Sequence, residues 1–399
     1  MKKLNYKHTI IGCFIAYMVQ AVVCNFAPLL FVGWRNEFNI SMPQLTTIVT
    51  VTFFTQIVVD LISAKYAEKI GYKKCLVLAH LLSGTGFFLL GVLPYFMEKS
   101  FLAILIPVII YSAGSGLLEV LVSPVVESCP TENKAGAMSL LHSFYCWGTV
   151  GVIGLSTLYF AVFSRENWRY LAFAWAVFAL LNGAFLVFVP ITKLKGDQNK
   201  EERVHTKELF KNKIFIVAVI LMICAGASEL AMSQWASAFA ETGLNVSKTV
   251  GDLAGPMAFA VLMGTGRIIF SAISKKVRIE DYLIVSAVGC IASYMLACLI
   301  QSPVISLAGC ALCGLAVSAM WPATISFTTK VIPNATMAMF AFLAVAGDIG
   351  CTSGPTIIGW ITDAFGGDLK KGLIFSIIFP VIIIFSLLFL RRKNNKKSA

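Results

Sequence analysis

The sequence predicts an all-α integral membrane protein of twelve transmembrane helices in two six-helix halves, and three observations predict it. First, 58% of the 399 residues are hydrophobic, 13% are charged and mean hydropathy is +0.82. A soluble globule of this size cannot bury so much apolar surface. Second, apolar runs long enough to cross ~30 Å of hydrocarbon recur about twelve times along the chain. Third, threading those runs with the N-terminus inside puts 25 of the 32 Lys and Arg on the cytoplasmic side and 7 outside. That asymmetry is the positive-inside bias, which explains the net charge of +12 without a nucleic-acid partner. The expected location is the cell (inner) membrane, multi-pass, with both termini cytoplasmic.

Span 1 (9–33) is too long for a cleaved signal peptide, and Val22 and Val23 before Cys24 lack the small residue of a lipoprotein cleavage site, so it is read as an uncleaved helix. Tyr17, Gln20 and Cys24 share one of its faces. Trp34, Trp168 and Trp360 fall at outer ends of spans and are expected as interface anchors. Span 2 (44–63) carries Asp60 near its inner end and runs into a basic loop, Ala64 to Lys74. In that loop Gly71 permits a tight turn, and Lys69, Lys73 and Lys74 stay on the cytoplasmic side.

Spans 3 (75–97), 4 (101–127) and 5 (136–162) contain the most informative stretch. Two ionisable residues, Glu119 and His142, flank the polar hinge Ser128–Gly136 at about nine and eight residues' distance. At ~1.5 Å rise per residue they lie roughly level in two adjacent helices. Glu119 belongs to the stripe Ser112, Ser115, Glu119, Ser123, and His142 to the stripe Ser139, His142, Tyr145, Cys146, Thr149. An acid and an imidazole on polar stripes of apolar helices point to a proton or solute pathway, and titration of such a pair near neutral pH needs little free energy. The same pair could also serve as an ion pair locking two helices. Gly148, Gly151 and Gly154 are expected to allow close helix approach.

These residues carry a family resemblance. The loop positions Ala64, Glu68, Lys69, Gly71, Lys73 and Lys74 resemble the signature joining helices 2 and 3 of the major facilitator superfamily. Leu118-Glu119 through Ser123-Pro124 is similar to the helix 4 motif of its fucose/proton symporter branch, and His142 to Gly148 resembles that branch's helix 5. The resemblance implies that Glu119 takes up and releases a coupling proton. Ser123 stands where the branch has an asparagine, His142 and Tyr145 where it has amides, and Cys24 and Asn25 where it has a second acid.

Span 6 (169–190) closes the first half, 1–190. The polar segment 191–212 is expected to be a cytoplasmic linker, followed by a second half, 213–390, and a basic tail, 391–399. Span 7 (213–240) carries Glu229, Gln234 and Trp235 in its outer half; span 8 (251–274) carries Arg267 near its inner end, where it and Asp60 are expected in gate or packing pairs. Spans 9 (281–300), 10 (303–328), 11 (336–362) and 12 (371–390) complete the half, with Trp321 in span 10 and Asp348 in span 11. The halves repeat weakly: Gly116 and Pro124 are echoed by Gly314 and Pro322, and Gly148 and Gly151 by Gly347 and Gly350. The eleven cysteines show no paired extracellular spacing, and the CxxC of Cys310 and Cys313 reads as small packing residues.

The expected activity is secondary active transport of a small polar solute, proton-coupled monosaccharide import by alternating access. Glu119 and His142 would couple the proton. Gln20, Tyr145, Glu229, Gln234, Trp235, Trp321 and Asp348 would bind the substrate, and Asp60, Glu68, Lys69, Gly71 and Arg267 form the gate and loop set. The alternative is a proton-driven exporter of amphipathic or cationic compounds. An enzyme is not expected: HExxH and GxSxG do not occur, and one intramembrane histidine cannot build a multi-histidine metal site. No cofactor or metal is expected. The partners are the solute, protons and the bilayer, and the chain is expected to be a monomer.

Overall fold

In the computed structural model residues 4–40, 42–97, 100–194, 206–240, 244–247, 250–251, 253–332, 334 and 336–398 are described. Thirteen long helices account for most of them: α1 (Tyr6–Phe38), α2 (Met42–Ile70), α3 (Tyr72–Val92), α4 (Ser100–Ser128), α5 (Lys134–Phe163), α6 (Trp168–Phe188), α7 (Lys213–Ala238), α8 (Ala258–Ile273), α9 (Ile279–Leu299), α10 (Pro303–Val317), α11 (Met320–Val331), α12 (Met337–Ala364) and α13 (Ile378–Ser398). Among the described residues twelve spans are long and apolar enough to cross a membrane, and the chain is a multi-pass membrane protein. Helices are the expected solution, because a helix satisfies its own backbone where water is absent.

Local chemistry sets several boundaries. Asn5 opens α1 with a capping box, its side chain accepting from Lys7 N at 3.1 Å while its own N–H donates to His8 Nδ1 at 3.2 Å. Asn212 caps α7 through Ile214 N at 2.9 Å. Gly71 joins α2 to α3 at φ +103°, a conformation that only glycine adopts freely. The tenth span is two helices, because Pro322 has no N–H to give the Ser318 carbonyl four residues back and the chain breaks at Ser318 and Ala319.

The chain divides into two compact units. The first comprises Met1–Pro130, Phe144–Glu201 and Thr336–Ala341; the second comprises Thr131–Ser143, Glu202–Ala335 and Phe342–Ala399. In the first, α3 packs on α4 and α6, α4 on α1 and α2, and α1 on α6. In the second, α9 packs on α10 and α13, α10 on α7 and α8, and α7 on α13. Displaced by six spans, the two patterns are the same, so the faint sequence repeat is a repeat of packing. Its glycines explain why. A Cβ on Gly116 would lie 3.1 Å from Gln56 Cα on α2, and one on Gly314 would collide with the Phe259 backbone on α8. Both units bring corresponding helices together at a glycine, tightly at Gly116 and more tightly still at Gly314. Gly148 works likewise against Met18 and Ala21, whereas Gly151 and Gly154 face open space and are not close-approach sites.

The tryptophan expectation holds in part. Trp360 is 71% exposed, as an interface anchor would be. Trp34 and Trp168 are instead buried in the core of the first unit, packed edge to face at 5.8 Å. For Trp168 the reason is Glu37, which accepts from Trp168 Nε1 at 2.9 Å and from Tyr95 OH at 2.8 Å. With its polar tip satisfied by a side chain of the protein, the Trp168 indole has no need of the lipid headgroups.

Candidate functional site

The first unit holds a ladder of polar side chains between α1 and α4. These helices run antiparallel, and the stripes read from the sequence meet rung by rung. Tyr17 OH lies 3.0 Å from Ser123 Oγ, and Gln20 Nε2 donates to Glu119 Oε2 at 3.0 Å. One turn further along, Gln56 on α2 bridges Cys24 and Ser115, donating to Ser115 Oγ at 2.7 Å and to Cys24 Sγ at 3.6 Å. On the α5 side Asn25 Nδ2 donates to Thr149 Oγ1 at 3.3 Å. Spacings of three and four residues put each group on one helix face.

Glu119 has a neighbour that sequence reasoning placed elsewhere. A carboxylate oxygen of Asp60 lies within 4.8 Å of one on Glu119, and Asp60 is fully buried. The apolar run ending at 63 suggested a position near the inner end of span 2. The helix continues to Ile70 through the amphipathic loop sequence, so Asp60 sits ten residues, about 15 Å, from its end. The signal was available in Thr52, Gln56 and Asp60, a stripe at intervals of four.

The second unit gathers around Arg267, which is 3% exposed. Its Nη2 lies 3.3 Å from Glu229 Oε2, its Nε donates to the Ser318 carbonyl at 2.7 Å, and its Nη1 donates to the His142 carbonyl at 2.8 Å. The Ser318 carbonyl is the one that Pro322 leaves without a helical donor, so the guanidinium repairs the break in span 10. Ser139 Oγ returns a bond to the Arg267 carbonyl at 2.6 Å. Nearer the end of α8, Asn133 Nδ2 donates to Ser271 O at 3.3 Å, and Ser274 Oγ donates to Asn133 Oδ1 at 3.0 Å. The first turns of α5 are thus tied to α8.

Glu229 and Arg267 were assigned to different depths and roles; they are an ion pair, the arginine stem spanning the difference. Glu119 belongs to the first unit and His142 to the second, so the expected acid–imidazole pair is not a contact within either unit. Tyr145 is half-buried in the first unit. In the second, Asp348 is buried on α12, and Gln234 is exposed. Trp235 and Trp321 are half-buried. Trp235 Nε1 donates to Pro355 O at 3.1 Å, and the Trp321 ring occupies the space that a Cβ on Gly347 would need. Both indoles have a packing role. In the loop set, Glu68 is half-buried and Lys69 exposed beside the Tyr66 ring.

A second intramembrane histidine, His80 on α3, escaped the sequence reading. It is fully buried, with Nδ1 2.7 Å from Leu76 O and Nε2 2.8 Å from Asn182 Nδ2. Asn182 donates to Nε2, so Nδ1 carries the proton and donates to the carbonyl. Both ring nitrogens are engaged, and the residue ties α3 to α6.

Comparison with known proteins follows the same lines. A sequence model of the Major Facilitator Superfamily matches residues 9–337. The chain belongs to the major facilitator superfamily. Members of the major facilitator superfamily are transporters rather than enzymes, and act on small-molecule substrates within the membrane. The chain is 24% identical over 302 residues to the membrane protein MosC of Rhizobium meliloti, covering 75% of this chain and 71% of MosC. Among solved structures, the E. coli fucose:proton symporter FucP superposes with a TM-score of 0.80 at 15% identity, over 96% of this chain and 98% of FucP. The proton:xylose symporter XylE, bound to 6-bromo-6-deoxy-D-glucose, gives 0.81 at 14% identity, over 96% and 95%. At such identities the likeness establishes the major facilitator fold.

Proposed function

We propose that this chain is a proton-coupled importer of a small polar solute, a monosaccharide, working by alternating access with both termini cytoplasmic. The observation that carries the reading is the Gln20–Glu119–Asp60 arrangement in the first unit. Two carboxylates within 4.8 Å repel by roughly 3 kcal/mol when both are charged, at an effective dielectric constant of ~20. A proton held between them relieves that repulsion, and Glu119, the less buried of the two, is the group that exchanges it. His142 is a second titratable group, on the other unit. The Gln20 amide supports a hydroxylated solute: it is 6% exposed, and its Oε1 accepts no hydrogen bond among the described residues. A sugar hydroxyl would supply the donor. Tyr145, Asp348 and the faces of Trp235 and Trp321 are the further solute contacts in this reading, with Glu229 acting through Arg267 and Gln234 at an exposed position. The proton-coupled sugar symporters FucP and XylE, alike in fold, add support.

The test is a substrate screen in proteoliposomes with an imposed pH gradient, comparing wild type with Glu119→Gln. Gradient-driven sugar uptake that survives unchanged in the variant removes the proton role. The same acidic pair favours a second reading, export of cationic compounds, since an organic cation would neutralise it as a proton does. Lipophilic cations in the screen separate the two: counterflow with them and none with sugars selects the exporter.

A further inference from the structure

The polar ladder of the first unit has an apolar continuation. On α1 the face that carries Tyr17, Gln20 and Cys24 runs on at helical spacing through Ala27 and Pro28 to Phe31, and on α2 the face of Asp60, Gln56 and Thr52 runs on to Val49 and Ile48. Both helices pack on α4. Between them, where the two stripes turn apolar, lies a cleft of ≈ 270 Å³, walled by these last residues and Phe53. A whole small-molecule site occupies at least about 300 Å³, so the cleft has the size of a subsite.

Its chemistry is one-sided. The walls are hydrocarbon, and Thr52, which also lines the cleft, spends its hydroxyl on the Ile48 carbonyl at 2.9 Å. Polarity is confined to the end at Cys24, where cleft and ladder meet. There the Cys24 thiol receives Gln56 Nε2 at 3.6 Å, and Pro28 has no N–H to give the Cys24 carbonyl four residues back, which leaves that carbonyl without its helical donor. One turn along α1, Gln20 Oε1 accepts no hydrogen bond among the described residues. Acceptors on one side and hydrocarbon on the other call for a ligand with hydroxyl donors at one end and an apolar group at the other.

Resting on the reading of this chain as a sugar transporter, we infer that its solute is a monosaccharide bearing a short apolar O-substituent, an alkyl or aryl glycoside. The ring hydroxyls donate to Gln20 Oε1 and the Cys24 carbonyl, and the substituent fills the cleft between α1 and α2. A hydroxylated ring does not suit the cleft itself, because its walls offer nothing to replace the hydrogen bonds that hydroxyls make with water. An alkyl chain loses no hydrogen bond there and gains by leaving water.

The experiment is competition for uptake by the full chain in proteoliposomes, with glucose, xylose and fucose and the methyl to pentyl glycosides of each. Affinity relative to the parent sugar is expected to rise by about fourfold for each methylene buried and to level off once the cleft is full. Val49→Trp, which places an indole in the cleft, is expected to abolish that dependence on chain length. The readout is the ratio of glycoside to parent sugar within one variant, so a general loss of activity does not mimic the result. A series that is flat or falls with chain length in wild type, as it would be if a lipid acyl chain occupied the cleft, overturns the inference, and so does a dependence that survives Val49→Trp. Uptake of the free sugars with a flat series refutes the substituent alone, whereas no uptake or competition by any sugar or glycoside refutes the sugar reading with it. The wild-type series decides the matter even where the variant folds poorly.

Discussion

Arg267 on α8 holds Glu229 on α7 at 3.3 Å, and the rest of its guanidinium is taken by the carbonyls of Ser318 and His142. A charge inside a membrane span is tolerated when its donors are used, and here the planar fork serves three helical segments at once. The ion pair therefore acts as a structural centre of the second unit.

Removing one partner leaves a buried charge without compensation. Glu229→Leu alone is expected to destabilise the protein by about 3–5 kcal/mol, while Glu229→Leu with Arg267→Met recovers part of that loss, the two carbonyls remaining without their donor. Thermal unfolding in detergent measures this as a double-mutant cycle. A coupling energy below about 0.5 kcal/mol would mean that the pair is incidental.

Proton coupling through Glu119 has a quantitative signature. One charge moving inward down ~100 mV supplies ~2.3 kcal/mol, enough for about fiftyfold accumulation of a neutral solute. Wild-type proteoliposomes should approach that ratio. Glu119→Gln should equilibrate solute without accumulating it, so that counterflow persists while gradient-driven uptake disappears. Radiolabelled uptake read under both conditions checks the split.

The repeated glycines make a matched prediction. Gly116→Val drives a branched side chain against α2, and Gly314→Val drives one against the α8 backbone. Each should cost about 1–3 kcal/mol through overpacking. Gly151→Val, into open space, should stay within about 0.5 kcal/mol. Equal losses at all three positions, seen as shifts of the detergent unfolding midpoint, would show that the close approaches do not matter.

Tryptophan substitutions separate core from interface. Trp168→Ala should cost about 3–5 kcal/mol because it empties the core around Trp34 and strips Glu37 of a donor. Trp360→Ala, at a residue 71% exposed, should leave the unfolding midpoint nearly unchanged. A large loss at Trp360 and none at Trp168 would reverse the assignment of the two.

Much of the candidate site was legible because helical periodicity is a local property. Tyr17, Gln20 and Cys24 on one helix, and Ser115, Glu119 and Ser123 on another, are recognisable as stripes without knowing what they face. The structure pairs those two stripes. The partner of Glu119 was not legible, because the depth of Asp60 depends on where α2 ends, and an amphipathic helical extension looks like a loop to a hydropathy reading. Trp168 was misjudged for a related reason: its place at the end of a span is a sequence property, but its burial depends on Glu37, 131 residues away.

Composition and charge asymmetry alone determined that this chain spans a membrane twelve times, since hydrocarbon accepts only long apolar helices and basic residues stay on one side. Spacing alone determined which residues share a helix face. Only the tertiary structure decided which faces meet: that Asp60 stands beside Glu119, that Arg267 joins Glu229 to the carbonyl freed by Pro322, and that Trp34 and Trp168 turn inward. Such pairings depend on the rotation and depth of one helix against another. Close contacts between distant segments set both, and those contacts leave no period in the sequence.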